Sequence, residues 1–229
     1  MMNHFSIMKF FTSVFIAFTS FVMLFSCASN TSSAEDPLPI LGRKEVVEKE
    51  LNGQIKQDTI YHTIGDFRFV DQDSSWVTPQ NFEGKIYVAD FFFTSCPTIC
   101  PIMKTQMLRI FEEFKGNPEV MILSHTIDPE YDTVALLKDF SERIGVMDNS
   151  QWKFVTGDKD EIYKIGQTKY MVSATEDASE PGGFVHSGAF LLVDKEQRIR
   201  GIYDGTKEDQ VDKLMKDITR LLKEYETTL

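Results

Sequence analysis

Lys85-Ile86-Tyr87-Val88-Ala89-Asp90-Phe91-Phe92-Phe93-Thr94-Ser95-Cys96-Pro97-Thr98-Ile99-Cys100-Pro101 is the stretch on which the reading of this chain turns. Residues 85–93 are a near-continuous apolar run bounded by Gly84 and Thr94, the pattern of a central strand covered on both faces. The run delivers the chain directly to Cys96. Beyond it Ile102, Met103, Met107, Ile110, Phe111 and Phe114 recur at helical spacing until Gly116 and Pro118 stop the helix. Pro101 has no N–H to donate and clashes with the preceding turn if placed deep in a helix, so Cys100 belongs in or just before the first turn, with Cys96 in the loop. Unpaired N–H groups and the helix dipole stabilise a thiolate at such a position.

Working outward, Glu119–Ile127 reads as a second buried strand, Asp132–Ile144 as a helix with apolar Val134, Leu137 and Phe140, and Trp152–Val155 as a short strand. Asp158 with Glu161 three residues on predicts a helix start, running to about Lys169. Tyr170–Gly183 is an acidic, glycine-ending loop. Phe184–Val193 and Arg198–Tyr203 read as a hairpin turning at Lys195-Glu196-Gln197, and Val211, Leu214, Met215, Ile218, Leu221, Leu222 and Tyr225 form the apolar stripe of a closing helix. Upstream, Phe67–Val70 and Trp76–Thr78 flank the polar turn Asp71–Ser75 and predict a further hairpin. Lys44–Gln57 is charged and weakly periodic, and its pattern assigns it no element. The order predicts an α/β domain of thioredoxin-like fold: a central mixed sheet flanked by helices, with an N-terminal β-hairpin extension.

The first residues have a different character. Lys9 precedes the apolar run Phe10–Phe25, which is followed by Ser26 and Cys27. A run of sixteen residues falls short of the roughly 20 a membrane-spanning helix needs. A cysteine directly after a small residue at the end of such a run resembles the lipobox of bacterial lipoproteins, which makes Cys27 the lipidation site. The expected organisation is a signal peptide over 1–26, a lipid-anchored linker over 27–57 and the folded domain over 58–229, held to a membrane of the bacterial cell envelope. Ala28–Pro39, small, polar and proline-bearing, suits a tether. The 229-residue chain carries a formal charge of −11, and loss of Lys9 leaves the remainder more acidic still. A surface of that sign argues against nucleic acid, whose phosphates require a basic patch.

With Cys27 assigned to the anchor, two cysteines remain, with three residues between them instead of the two usual in thioredoxin-like oxidoreductases. Two soft thiolates at one helix mouth form a bidentate clamp for copper, zinc or another thiophilic ion. A third ligand must come from elsewhere. His186, in Phe184-Val185-His186-Ser187-Gly188, stands at the entry of the strand that in this fold class lies beside the cysteine loop, and is the favoured candidate. His125, at the end of the second buried strand, is an alternative ligand or a hydrogen-bonding neighbour of one. His62 reads as a surface residue, Met103 and Met107 as core, and Asp128 as a loop carboxylate that caps the next helix or tunes the site.

Phe91-Phe92-Phe93-Thr94-Ser95-Cys96-Pro97-Thr98-Ile99-Cys100-Pro101-Ile102-Met103, Ile127-Asp128-Pro129-Glu130-Tyr131-Asp132-Thr133, Trp152-Lys153-Phe154-Val155-Thr156-Gly157 and Val185-His186-Ser187 occur in the order seen in Sco/SenC proteins. The resemblance spans about Ile64 to Leu222. It implies copper binding, as Cu(I) or Cu(II), through Cys96, Cys100 and His186, and delivery of copper to the dinuclear centre in the copper-bearing subunit of cytochrome c oxidase during assembly. A separate copper donor or a thioredoxin-like reductant are the further partners it suggests. His125 and Val185 depart from relatives that have an apolar or hydroxyl side chain and an acidic residue there. The alternative on the same residues is a thiol-disulfide oxidoreductase using Cys96 and Cys100 to keep the oxidase copper-site cysteines reduced. A peroxidase would need an activating arginine, and Arg109 is the nearest in sequence.

Overall fold

The computed structural model describes residues 36–51, 53–177 and 184–227. The chain divides into two units between Asp36 and Pro37. The expected export segment and Cys27 lie outside the described residues, and the elements belong to the second unit.

They are β1 (Lys44–Leu51), β2 (Gln54–Tyr61), β3 (Phe69–Asp71), β4 (Trp76–Val77), β5 (Ile86–Phe92), α1 (Cys100–Glu113), β6 (Val120–Thr126), α2 (Val134–Arg143), β7 (Trp152–Thr156), α3 (Lys159–Thr168), β8 (Ala174–Glu176), β9 (Phe184–His186), β10 (Ala189–Val193), β11 (Ile199–Asp204) and α4 (Glu208–Thr227). Seven strands form the main sheet in the order β11-β10-β5-β6-β7-β3-β4. The pairs β5–β6 and β6–β7 are parallel and the others antiparallel. This mixed sheet with flanking helices is the expected thioredoxin-like architecture. All seven residues of β5 and all seven of β6 are buried, which is why the Lys85–Phe93 run shows no alternation of apolar and polar residues.

Because side chains alternate across a strand, Phe91 and Phe92 serve opposite faces. Phe92 stacks on Phe140 of α2 with ring centroids 5.5 Å apart. Phe91 meets α3 at Gly166, where an added Cβ would lie 3.1 Å from the Phe91 ring, a tight contact that glycine avoids. Asp158 starts α3 as expected, accepting a hydrogen bond from the Glu161 N–H at 3.0 Å. The cap of α2 is Thr133 and not Asp128, whose carbonyl instead closes the turn by accepting from Tyr131 and Asp132.

The expected hairpin Phe67–Thr78 forms as β3 and β4, with Asp73, Ser74 and Ser75 of its polar turn exposed. Asp71 and Gln72 are buried, the former accepting from the N–H groups of Asp73 and Ser75 and ion-paired with Lys153 at 3.0 Å. Residues 37–57, expected to be linker, carry structure. Leu38 is buried, its carbonyl held by the Arg200 guanidinium, and β1 pairs antiparallel with β2 from Lys44↔Tyr61 to Leu51↔Gln54 as a separate two-stranded sheet. Charged and apolar residues mixed on both faces of that ribbon hide its period. Finally, the loop from Tyr170 contains β8, and the expected strand Phe184–Val193 is broken into β9 and β10. The break has a hydrogen-bonding cause: the Ser187 N–H donates to Ser173, whereas the Gly188 carbonyl accepts from Gly205, so the chain changes partner between them.

Candidate metal centre

Helix α1 begins at Cys100, and its N-cap, Ile99, offers no side-chain hydrogen bond to the helix. The first-turn N–H groups are therefore available to another acceptor. The Cys96 sulfur takes that place, with main-chain hydrogen bonds from Thr98 and Cys100 and side-chain contacts to Cys100 and to the Thr98 hydroxyl at 3.7 Å. Burial opposes ionisation of Cys96, yet these hydrogen bonds outweigh it and bring the thiol below its ordinary value. Cys100 behaves oppositely. Deeper burial, against the help of a main-chain hydrogen bond from Phe93, and its hydrogen bond and charge repulsion with Cys96 push its thiol up. The two sulfurs are not joined in a disulfide. One easily ionised and one reluctant thiol form a pair whose second proton leaves readily only when a cation takes its place.

The position of β9 is fixed against this loop from both ends. Phe184 lies on Phe93 with ring centroids 5.0 Å apart, and Gly188 is so near that a Cβ there would be 3.6 Å from the Ile99 side chain. Phe93 precedes Cys96 and Ile99 precedes Cys100, so the backbone of His186 is bracketed between two contacts with the cysteine loop. Its main chain pairs with Ala174; its side chain lies outside what the structure describes. Among the described residues no group of three His, Cys, Asp or Glu side chains is arranged to hold a metal.

The loop rests on a polar support that the sequence did not announce. Asp132 accepts from the N–H and hydroxyl of Thr94 and from the hydroxyl of Thr126, tying the end of β5 to the end of β6. Asp90 accepts from Ser124, which in turn accepts from the Trp152 indole at 2.9 Å. Lys104, one turn after Cys100, is buried with no hydrogen-bond partner for its ammonium among the described residues. The rings of Phe92, Phe140, Phe154 and Trp152 surround it, with centroids at 4.3, 4.7, 4.7 and 5.1 Å. Burial depresses its pKa to about 8, against the attraction of Asp90, Cys100 and Asp132. Burial also raises Asp90, so desolvation outweighs mutual attraction on both sides. One signal was visible: Lys104 interrupts the helix's buried stripe of Cys100, Met103, Met107, Ile110 and Phe111.

Other candidates separate from the site. His125 is fully buried, and neither ring nitrogen has a hydrogen-bond partner among the described residues. It stacks on Phe91 at 4.8 Å and meets Phe69, Tyr170 and Phe67 edge-on, so rings and not donor atoms surround it. Burial drives its pKa down to about 3, the main chain of Asp90 opposing only weakly. Among the described residues that setting supplies no second metal donor beside the ring. His62 contacts the Lys169 carbonyl at 2.8 Å, and Met103 and Met107 are core. Arg109 turns away from the cysteines to Asp212 of α4 at 2.5 Å, which removes the basis for a peroxidase.

The SCO1/SenC family model matches residues 56–223. This chain belongs to the SCO1/SenC family. A SCO1/SenC family lipoprotein from Bacillus anthracis superposes with a TM-score of 0.64 at 28% identity, covering 70% of this chain and 95% of that one. BsSco, described as a Sco-family cytochrome c oxidase assembly protein with a disulfide switch, gives 0.62 at 28% identity over 70% and 93% of the two chains. Yeast Sco1 with copper bound gives 0.53 at 27% identity over 69% and 89%. The family match begins inside β2 and ends within α4, so it takes in the cysteine loop, β9 and the aromatic surroundings of Lys104.

Proposed function

We propose that this chain is a copper metallochaperone, holding the ion between Cys96 and Cys100 with His186 as third ligand and passing it to the copper-bearing subunit of cytochrome c oxidase during assembly. The observation that carries the reading is the pair of adjacent thiols at the uncapped mouth of α1, with Phe184 of β9 against Phe93 and Gly188, just past β9, beside Ile99. The donor set fits the ion: two thiolates and an imidazole suit three-coordinate Cu(I), and a further weak ligand accommodates Cu(II). The copper-bound yeast relative and the oxidase-assembly description of BsSco support the choice of ion and recipient.

In this mechanism the Cys96 thiolate captures the ion first, because its hydrogen bonds already favour the charged form. Cys100 then gives up its proton as the ion's charge replaces the penalty of a buried anion. β9 supplies His186 from a short two-stranded pairing with β8, outside the main sheet, so imidazole exchange need not disturb the core. We further propose that Cys27 is acylated and that the chain up to Pro37 tethers the domain to a membrane of the cell envelope. No helix among the described residues is long and apolar enough to cross a membrane. The test of the histidine is a titration of the reduced full chain with Cu(I) and with Cu(II), repeated on His186→Ala. Cu(II) affinity is expected to fall more than Cu(I) affinity, and equal losses would overturn the assignment of His186 as the exchangeable third ligand.

The second reading, a thiol-disulfide reductant, is favoured by the unequal thiols. The more acidic Cys96 attacks one sulfur of a target disulfide. Cys100 then closes the Cys96–Cys100 disulfide and releases the target as a dithiol, two electrons passing from this protein to the target. Turnover of a disulfide substrate by protein with no copper affinity would transfer the assignment to this reading.

A further inference from the structure

β1 and β2 form a sheet of two strands apart from the main sheet, and Lys44–Glu50 and Gln54–Tyr61 are exposed or half-buried throughout. A two-stranded ribbon is marginal in water by itself, and three or more strands stabilise it. β1 also lies outside the family match, which starts at residue 56.

Backbone pairing decides which groups of β1 are left for another strand. The His62 N–H donates to the Arg43 carbonyl at 2.9 Å, and the register runs without a shift from Lys44↔Tyr61 to Leu51↔Gln54. Hydrogen-bonded pairs recur at every second residue of an antiparallel ladder, so the odd-numbered residues of β1 bond to β2. Lys44, Val46, Glu48 and Glu50 therefore turn their N–H and C=O groups outward, along an edge that pairs with no strand among the described residues.

Lysine and glutamate on such an edge ordinarily discourage pairing. Here their order is self-complementary. A two-fold antiparallel contact of β1 with itself is centred on a residue, because outward groups must meet outward groups. Centred on Val47, it sets Lys44 opposite Glu50 and Glu45 opposite Lys49 of the second copy, each twice, and Val47 opposite itself. Opposite charges placed so attract, and like charges repel. Centred one residue earlier, on Val46, the contact sets Arg43 against Lys49, and centred one later it sets Glu48 against itself. Charge therefore selects one register. Lys49 already pairs with Asp58 across the ribbon at 2.5 Å, so Glu45 of the second copy joins an existing pair. The outer edge of β2, centred on Gln57, offers only Lys56 opposite Asp58.

We infer that β1 is a docking edge for a second copy of this chain, the two ribbons forming a four-stranded antiparallel sheet in the order β2-β1-β1-β2 about a two-fold axis at Val47. Short strands meeting edge to edge bury less surface than a stable complex in free solution needs, so the contact forms between molecules held at high local concentration. No residue of the metal centre takes part, and the inference stands apart from the metallochaperone reading.

Disulfide trapping reads the register. Residues facing one another in a non-hydrogen-bonded antiparallel pair have Cα atoms about 4.5 Å apart, within reach of a disulfide. The full chain, in detergent at about 1 mM to match the concentration that a short tether imposes, carries Cys96→Ser and Cys100→Ser and is oxidised with diamide. Cys27 is present alike in every sample, and the parent without a new cysteine sets the background. Val47→Cys is expected to give at least about tenfold more covalent dimer than Glu45→Cys or Lys49→Cys, whose counterparts in the second copy lie about 13 Å along the ladder. Lys44→Glu should lower the Val47→Cys yield about fivefold or more, and adding Glu50→Lys should restore it. No dimer above background at Val47→Cys, equal yields at the three positions, or no recovery in the double reversal would each overturn the inference.

Discussion

Two basic side chains are buried on opposite faces of one sheet, each ringed by four aromatic residues, and they are in opposite states. Lys104 lies on the Phe92 face among Phe140, Trp152 and Phe154, and His125 lies on the Phe91 face among Phe67, Phe69 and Tyr170. Desolvation weighs on both. Lys104 shares its face with Asp90, Asp132 and Cys100, whose attraction keeps its pKa near 8, so it carries charge at neutral pH. His125 has no such company and, near 3, is neutral. The aromatic surroundings are alike, and the neighbouring acids decide which face is charged. The charged face is the one that holds the cysteines.

Breaking the boxes gives the largest expected effects. Phe91→Ala and Phe92→Ala should each cost about 3–5 kcal/mol in denaturant unfolding, with Phe92→Ala at the lower end because water reaching Lys104 relieves its desolvation. The reverse order would contradict the picture of a strained ammonium.

Smaller effects come from titration. The Lys104 pKa is about 8 when folded and about 10.4 in an unfolded chain, so the unfolded state binds more protons across that interval and stability rises with pH there. Between pH 7 and 10 the native protein should gain about 2 kcal/mol relative to Lys104→Met in paired denaturant unfolding curves. A constant difference between the two would mean that the ammonium is not buried. His125 acts in the acid range. Its folded pKa of about 3 lies below the unfolded value of about 6.5, so stability is lost as pH falls from there toward 3. Relative to His125→Leu, the native protein should lose about 2 kcal/mol between pH 6.5 and 5. Parallel acid curves would place a proton acceptor beside His125.

The fold was legible wherever burial is two-sided or helical spacing is clean. The Lys85–Phe93 run, the stripe of α1 and the closing helix all read correctly, because each pattern is local. The ribbon of β1 and β2 was not, since it buries neither face and Val46, Ile55 and Ile60 stay exposed on it. At the site, the cysteine spacing and Pro101 placed the thiols without help from the structure. Lys104 escaped because its cage is assembled from β5, α2 and β7, which no sequence window contains. His125 was given a place near the site on the strength of its strand end. The alternation of β6 sends it to the opposite face instead, and one residue of register separates the two outcomes.

The claim that the Lys104 face, and not the His125 face, is the metal centre is tested most directly by Cu(I) titration of the reduced full chain against a competing chelator. One ion per chain is expected, with binding abolished in Cys96→Ser and in Cys100→Ser and retained in His125→Leu. Binding that survives both serine substitutions, or that is lost in a folded His125→Leu, would contradict the account.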